Sequence, residues 1–306
     1  MSIAFLFPGQ ASQYVGMGKD LYEKSDIAKE LFDNACDILG YDIKKICFEG
    51  PEDALKQTKI TQPAIFIHSS ILYTLLNKLQ PDMAAGHSLG EYAALYSARS
   101  ISFEEGLKLV ALRGELMHEA GLQKPGSMAV IIGLDADKIK LICEAASDKG
   151  VICPANFNSK DQIVVSGSKE AINKAMQLAK EAGAKIVKEL LVSAAFHSPL
   201  MESAKIKLNL VLENITFKDA AFPIYANISA KPSFKASEIK SNLYEHITSP
   251  VHWLDTINNM TNDGMNKAIE IGPGKVLQGL LKKINTNIKI FGVDKFEDLE
   301  NLYKAI

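Results

Sequence analysis

The stretch DMAAGHSLGEYAAL, residues 82–95, places a serine between two glycines as Gly86-His87-Ser88-Leu89-Gly90. A short apolar run precedes this pentapeptide and an apolar, helix-forming segment follows it. The pattern G-x-S-x-G is typical of a sharp strand-to-helix turn that exposes a serine hydroxyl. We therefore predict a strand that ends at Gly86, a nucleophilic Ser88 and a helix from Leu89 to about residue 98. The alternative is a tight turn that needs small residues only for packing.

The remaining pattern indicates an α/β fold built from two units. The run IAFLF, residues 3–7, reads as a buried parallel strand. From QKPGS (123–127) onward, the predicted elements follow the order β-α-β-β-α-β as far as residue 191, which is typical of a ferredoxin-like unit. We predict a large α/β-hydrolase-like domain with a parallel sheet, formed by residues 1–123 and 195–306. A ferredoxin-like domain, residues 124–194, interrupts it, and a ligand cleft is expected between the two.

Individual elements of the large domain are also predicted. Hydrophobic periodicity indicates helices over residues 26–39 and 63–79. Ser102 and Glu105 form a capping-box pattern that opens a helix ending near Ala120. The last third of the chain indicates a helix after Pro199 and then, in order, a strand (PIYANI, 223–228), a helix (VHWLDTINNM, 251–260), a strand (KAIEIG, 267–272) and a final helix.

Composition narrows the function classes. The 306 residues are 47% hydrophobic and 23% charged, with a net charge of −2 at pH 7. That charge gives no global field for nucleic acid, and no segment has the apolar length of a membrane span. The four cysteines show no C-x-x-C spacing. We expect reduced thiols, a cytoplasmic location, and no nucleic-acid or membrane partner.

A serine nucleophile needs a base, and histidine is the usual one. His197, in SAAFHSPLM, follows the last strand of the predicted small domain and precedes a helix opened by a proline. This places it at the joint between the domains, and it is the first candidate. The alternatives are a core residue, a neighbour of the serine that points away, a helix C-terminal residue and two loop residues: His68, His87, His118, His246 and His252.

One arginine stands out because the chain has 32 lysines and only two arginines. Arg113 shares a helix face with Gly106, Val110 and Met117. A guanidinium on a partly apolar face is costly to bury without an anion, and its planar fork matches a carboxylate. The alternative is an arginine that reaches solvent or pairs internally.

Several separate motifs then converge on one family in the family's own order. They are FPGQASQYVGMG (7–18), TQPA (61–64), GHSLGEYAAL (86–95), RGELM (113–117), NFNS (156–159), AAFHSPLM (194–201), SPVHW (249–253) and EIGPGKVLQGL (270–280). The chain resembles the malonyl-CoA:acyl carrier protein transacylases essentially from end to end.

The resemblance implies a role for each of these residues. Ser88 is expected to be the malonylated nucleophile, His197 its base and Arg113 the clamp for the malonyl carboxylate. The backbone amides of Gln10 and Leu89 are expected to form the oxyanion hole. The remaining substrate-binding residues implied are Met117, Phe196 and Asn158.

Three positions depart from the family pattern. Ala11 stands where the family usually has glycine, His246 where glutamine is common, and His252 where arginine is common. In relatives, a backbone carbonyl at the position of His246 orients the histidine base. Any residue supplies a carbonyl, so this role can persist in the present chain.

The resemblance also implies the reaction. A malonyl group is expected to pass from malonyl-CoA to the thiol of an acidic acyl carrier protein through a malonyl-serine, in a ping-pong sequence without metal or cofactor, and the chain is expected to be a monomer. The alternatives are a serine esterase or thioesterase, transfer of another acyl group such as methylmalonyl, and a catalytically silent acyl-binding relative. A hydrolase usually has an acidic residue between its serine and its histidine in chain order, and none is evident between 88 and 197. A silent relative is expected to lack the nucleophile or the base.

Overall fold

The computed structural model describes residues 2–192 and 194–306. The strands are β1 (Ser2–Phe7), β2 (Met83–Gly86), β3 (Gly126–Ile132), β4 (Ile152–Ser159), β5 (Gln162–Ser168), β6 (Ile186–Glu189), β7 (Ile224–Tyr225), β8 (Pro232–Ser233), β9 (Met265–Ile271) and β10 (Lys289–Val293). The helices are α1 (Lys19–Lys24), α2 (Asp26–Leu39), α3 (Ile43–Glu49), α4 (Glu52–Leu55), α5 (Thr58–Leu75), α6 (Gly90–Ser97), α7 (Phe103–Gln123), α8 (Ala136–Ala146), α9 (Lys169–Glu181), α10 (Glu202–Leu212), α11 (Ala236–His246), α12 (Trp253–Asn262), α13 (Val276–Ile284) and α14 (Phe296–Ala305). Short 3₁₀ turns cover Ser147–Lys149 and Pro199–Met201.

A six-stranded sheet forms the centre of the larger unit, in the order β10-β9-β1-β2-β7-β8. All its pairs are parallel except β7 with β8. On β1, Phe5 and Phe7 belong to one hydrophobic core, whereas Ala4 and Leu6 belong to the core on the other face. Because successive side chains of a strand alternate between faces, a strand covered on both faces reads as a continuous apolar run. The α/β class and the parallel sheet are confirmed.

The second sheet is antiparallel and follows the predicted β-α-β-β-α-β order. Its strands lie in the order β4-β5-β3-β6. Ala129 and Ile131 of β3 face a core shared with α8 and α9. Met128 and Val164, on the opposite face, join the core of the larger unit. The two sheets therefore pack together, and the division into two domains stays a prediction.

Several element bounds differ from the prediction. Helix α2 covers residues 26–39 as expected, and the capping box of Ser102 and Glu105 opens α7. Helix α5 begins at Thr58, five residues before Pro63, because its first turn buries Thr61 and Gln62. Packing thus overrides the preference of proline for the first position of a helix.

The last part of the chain contains more helices and strands than predicted. The strand expected over 223–228 is only two residues long, and β10 and α14 follow the helix that was expected to be the last. Helices α3, α4 and α11 were also not predicted. The four cysteines are free thiols. Within residues 2–192 and 194–306, no helix is long and apolar enough to cross a membrane.

Candidate active site

The turn at Ser88 has the strained geometry that its sequence predicts. Ser88 lies between β2 and α6 with a φ of 51°, in the left-handed region. A Cβ atom on Gly86 would lie 1.9 Å from the carbonyl carbon of Gly90, and one on Gly90 would lie 2.1 Å from the oxygen of Phe7. Both glycines are therefore required for the close approach of α6 to the strand ends. The strand-to-helix turn is confirmed.

Ser88 and His197 meet although 109 residues separate them in the chain. His197 Nε2 lies 2.8 Å from Ser88 Oγ. On the other side of the ring, Nδ1 faces two backbone carbonyl oxygens, those of His246 at 3.1 Å and Ser249 at 3.0 Å. A carbonyl only accepts, so Nδ1 carries the hydrogen and Nε2 is left as the acceptor for the serine hydroxyl. The carbonyl of His246 lies where the resemblance implied.

The surroundings keep His197 in its neutral form. The residue is 3% exposed, and its burial, together with the positive charge of Arg113, lowers the pKa of His197 to about 3. An unprotonated imidazole is the form that accepts a proton from a hydroxyl. The pair therefore has the geometry and the charge state of a nucleophile with its base.

Arg113 lies beside this pair and is 1% exposed. Its Nη2 donates to Ser88 Oγ at 3.2 Å and its Nη1 to Gln62 Oε1 at 2.7 Å. Its Nε is buried and has no hydrogen-bond partner among the described residues. The described part of the chain also offers Arg113 no carboxylate within 4.0 Å. Glu91 acts on Arg113 only from beyond that distance, and a buried guanidinium without a carboxylate in direct contact favours a ligand that brings an anion.

These three side chains open into one cavity of about 130 Å³. Met117 and Phe196 line it, as expected for an acyl pocket, and so do Met128, Leu190 and Val192. Asn158 does not line it. Its Oδ1 lies 2.8 Å from His87 Nε2, and the neighbouring Asn156 takes the place at the cavity wall. Asn156 and Asn158 are two residues apart, so regular alternation would place both on one face of β4. The register of β4 shifts between Phe157 and Ser159, and this irregularity separates the two side chains.

Gln10 and Leu89 also line the cavity. In the described residues, no hydrogen bond occupies the backbone N–H of either one. Leu89 immediately precedes α6, where the helix dipole favours negative charge. Next to Gln10, Ala11 adopts a φ of 82°, a conformation that glycine adopts more easily.

Besides the cavity-lining residues Met128, Asn156, Leu190 and Val192, three residues around the site were missed in the sequence. Gln62 accepts a hydrogen bond from Arg113, and Asn227 accepts one from the backbone N–H of Ser88 at 2.8 Å. Glu91 is 3% exposed and contacts Asn227. Their signals were present, since Gln62 lies in TQPA and Glu91 directly follows G-x-S-x-G. Asn227 lies two residues beyond β7, at the carboxyl edge of the parallel sheet, where ligand sites gather.

The other histidines lie apart from the serine hydroxyl. His68 is completely buried with its Nε2 3.4 Å from Asp294, as expected of a core residue, but neither ring nitrogen has the expected hydrogen-bond partner among the described residues. His252 stacks on Phe157 with ring centroids 5.2 Å apart. Over the described residues, no group of three or more His, Cys, Asp or Glu side chains is placed to hold a metal ion.

A serine on a strand-to-helix turn, bonded to a histidine on a parallel α/β scaffold, defines the class of serine-dependent acyl-transfer enzymes. The comparisons with known proteins refine this class. Residues 4–290 match the family model described as the acyl transferase domain. A malonyl CoA-acyl carrier protein transacylase from Staphylococcus aureus (strain MRSA252) is 42% identical over 298 residues, which are 97% of each chain.

Solved structures agree with this match. An acyl carrier protein S-malonyltransferase from Vibrio cholerae is 39% identical, with a TM-score of 0.95 over 99% of this chain and 100% of that one. A second match is a chain in the structure of a type II PKS acyl-carrier protein in complex with its malonyl-transacylase. The two sequences are 38% identical, with a TM-score of 0.97 over 100% of both chains. The chain belongs to the acyl transferase domain family and, within it, to the malonyl-CoA:acyl carrier protein transacylases.

Proposed function

We propose that the chain transfers a malonyl group from malonyl-CoA to the thiol of an acyl carrier protein. Membership of the family supports this reaction, and so does the activity for which its relatives are named. The observation that carries it within this molecule is Arg113, a buried cation without a carboxylate partner in the described residues, 3.2 Å from Ser88 Oγ. A group esterified to Ser88 would extend its short chain beside this guanidinium. A terminal carboxylate there supplies the missing anion.

The first half-reaction forms the malonyl-serine. His197 Nε2 takes the hydroxyl proton while Ser88 Oγ attacks the thioester carbonyl carbon. The carbonyl oxygen becomes an oxyanion, which we assign to the amides of Gln10 and Leu89. Such donors contribute on the order of 10²–10³ in rate each. The C–S bond then breaks, and the imidazolium returns the proton to the departing thiolate of coenzyme A.

The second half-reaction uses the same pair in reverse. The carrier thiol gives its proton to His197 Nε2, and its sulfur attacks the carbonyl carbon of the malonyl-serine. Collapse of this intermediate breaks the C–O bond and returns the proton to Ser88 Oγ. The carbonyls of His246 and Ser249 accept from Nδ1 throughout, so they stabilise the imidazolium in both halves. No step in this scheme requires a metal or a redox cofactor.

Intact mass spectrometry tests the intermediate. After incubation with malonyl-CoA, we expect one malonyl adduct on the wild type and none on Ser88→Ala. Ser147→Ala is the matched control, because the Ser147 hydroxyl donates to a local helix carbonyl away from the cavity. An adduct that persists on Ser88→Ala removes the proposed nucleophile.

The acceptor is tested by following free malonate with and without carrier protein. Transfer predicts that malonyl-carrier forms much faster than malonate is released. If malonate appears without carrier as fast as malonyl-carrier forms with it, the protein is a thioesterase. A carrier KM that rises with ionic strength supports an acidic partner. Light scattering after size-exclusion chromatography tests the expected monomer.

We also propose that residues 124–194 form a small domain inserted in a larger one made of residues 1–123 and 195–306. The two sheets share no strand in the described residues, which supports this division. Limited proteolysis is expected to cut first near residues 123 and 195.

A further inference from the structure

Glu91 is a buried acidic group that the reaction scheme does not use. It lies in the first turn of α6, three residues after Ser88, and is 3% exposed. A buried carboxyl is costly unless hydrogen-bond donors surround it. Its contacts therefore show which parts of the molecule it holds together.

The first contact is with Asn227, just beyond β7. Glu91 Oε2 accepts from the backbone N–H of Asn227 at 3.0 Å and from its Nδ2 at 2.5 Å. The same Nδ2 donates to the Gly86 carbonyl at 2.6 Å, and Asn227 Oδ1 accepts the N–H of Ser88 at 2.8 Å. One amide thus binds the backbone on both sides of His87. It fixes the turn that holds Ser88 in the left-handed region.

The hydrogen bonds of Asn227 also determine which backbone amide faces the cavity. The N–H of Ser88 is directed at Asn227, whereas the N–H of Leu89 has no partner in the described residues. A left-handed conformation costs a residue other than glycine roughly 1–2 kcal/mol, so the turn needs contacts that stabilise it. Asn227 provides two of them, and Glu91 fixes Asn227 in turn.

The second contact is with the segment that orients the base. His246 is completely buried, and its Nδ1 lies 3.7 Å from Glu91 Oε2, a contact longer than a hydrogen bond. The backbone carbonyl of His246 accepts from Nδ1 of His197 at 3.1 Å. The carboxyl of Glu91 therefore contacts both His246, whose carbonyl orients the base, and Asn227, whose amide holds the nucleophile.

We propose that Glu91 is a positioning residue for both halves of the catalytic pair, acting through Asn227 on Ser88 and through His246 on His197. Glu91 does not line the cavity, although its backbone N–H donates to the Ser88 carbonyl at 3.1 Å. This inference rests on the proposed function, because it concerns how the same site is aligned. It adds to that function a buried link between the segment after β7, the end of α11 and the helix that follows the nucleophile.

Replacement of Glu91 by alanine is expected to lower kcat with little change in KM. The variant leaves the two N–H donors of Asn227 without their acceptor, so the amide that holds Ser88 loses its anchor. A displacement of about 1 Å in a reacting group costs roughly 10²-fold in rate. Arg113 and the cavity lining stay in place, so the KM for malonyl-CoA is expected to change by less than about threefold.

The conservative variant separates alignment from folding. Glu91→Gln keeps an oxygen that accepts from Asn227, and we expect it to restore kcat to within about tenfold of the wild type. The double variant Glu91→Ala/Asn227→Ala is expected to lose less than the sum of the two single losses, because the part of the Glu91 effect that passes through Asn227 is already removed in Asn227→Ala. Fully additive losses contradict the route through Asn227.

Glu270 offers a matched control. It too is completely buried, and its carboxyl accepts from the backbone N–H groups of Leu277 and Gln278 at the start of α13. Glu270→Ala is expected to lower Tm while the folded fraction keeps its kcat. A kcat loss in Glu270→Ala equal to that in Glu91→Ala attributes both losses to general destabilisation and overturns the inference.

The closing experiment measures the rate at which a fluorophosphonate probe labels Ser88, which needs neither coenzyme A nor carrier. We expect fast labelling of the wild type and labelling slower by roughly 10²-fold in Glu91→Ala, with recovery in Glu91→Gln. If the wild type is not labelled, the proposed nucleophile fails. If the wild type is labelled and Glu91→Ala reacts as fast, only the inference fails. Asn227→Ala is expected to show the same loss, which keeps the test available if Glu91→Ala does not fold.

Discussion

Arg113 donates through Nη2 to the hydroxyl oxygen of Ser88 at 3.2 Å, so a fully buried cation touches the proposed nucleophile. Burial lowers the pKa of Arg113, which reflects the cost of keeping its charge away from water. The nearby Glu91 and the Tyr92 ring act in the opposite direction. A carboxylate delivered by the substrate would offset that cost where the ester bond forms.

Arg113→Ala is expected to abolish the preference for malonyl-CoA. Removing one partner of a buried charge pair costs about 3–5 kcal/mol, which predicts a fall in kcat/KM for malonyl-CoA of at least about 10²-fold. The rate with acetyl-CoA, which has no carboxylate, is expected to change little. The measurement is the ratio of the two kcat/KM values.

The chain supplies its own control, because Arg99 is the only other arginine and is exposed. Arg99→Ala is expected to leave that ratio unchanged. If malonyl-CoA remains strongly preferred in Arg113→Ala, another group binds the carboxylate and the proposed role of Arg113 is wrong.

Gln62→Glu is expected to raise the KM for malonyl-CoA. Gln62 Oε1 accepts from Arg113 Nη1 at 2.7 Å, so a glutamate there would place a carboxylate on the guanidinium and compete with the substrate. We expect KM for malonyl-CoA to rise by at least about tenfold, the effect of roughly 1.4 kcal/mol. Gln57→Glu, at the exposed N-cap of the same helix, is the control that adds equal charge. An unchanged KM in Gln62→Glu contradicts the competition.

The sequence predicted the parts of the site that carry a local pattern. The turn at Ser88 follows from the glycine spacing, and Arg113 stands out because arginine is rare in this chain. His197 could only be ranked among six histidines, because its contact with Ser88 spans 109 residues. Resemblance to a family supplied what spacing could not.

The residues that were missed act through long-range contacts. Asn227 reaches Ser88 across 139 residues, and it does so only because β7 pairs in parallel with β2. Nothing in the local sequence PIYANI indicates that neighbour. Asn158 shows the reverse case, since the motif NFNS drew attention to it whereas Asn156 lines the cavity, and the two are separated by a register shift of β4 between Phe157 and Ser159. Which face of a strand lines a site depends on packing, and the motif alone does not fix it.

The rate of malonyl-Ser88 formation is expected to stay nearly flat between pH 8 and pH 5.5. Burial lowers the pKa of His197 to about 3, so the imidazole remains an unprotonated base well below the usual value of 6.5. Rapid-quench mass spectrometry across this range measures the rate directly. A fall in this rate with a midpoint near pH 6.5 would mean that His197 titrates as an exposed histidine, contrary to its buried position.

Stability is expected to fall as the pH drops below 6.5. Burial lowers the pKa values of His68, His197 and His246, so below pH 6.5 the unfolded chain binds protons that the folded protein does not. Each such group lowers the free energy of unfolding by up to about 1.4 kcal/mol per pH unit. Burial raises the pKa of Glu91 to about 7, which favours the folded state at lower pH and offsets part of the loss.

Urea unfolding at pH 5.5, 6.0, 6.5 and 7.0 measures this slope. His68→Gln is expected to flatten it by up to about 1.4 kcal/mol per pH unit, because one neutral buried imidazole is removed. Stability that is constant or rises from pH 6.5 to 5.5 contradicts the assignment of the three buried rings as neutral.

Ala11→Gly is expected to stabilise the protein slightly. Ala11 has a φ of 82°, a conformation that costs a residue with a Cβ roughly 1–2 kcal/mol. Glycine adopts it without that strain but loses more backbone entropy on folding than alanine, by about 0.5–1 kcal/mol. The difference predicts a gain of about 0.5–1 kcal/mol in the free energy of unfolding by urea. Ala182→Gly is the matched control, since Ala182 is also exposed but has a φ of −77°, and there the entropy term alone predicts a loss. A loss of equal size in both variants would show that the left-handed turn at Ala11 stores no strain, and that the loop carrying Gln10 is as relaxed with alanine as with glycine.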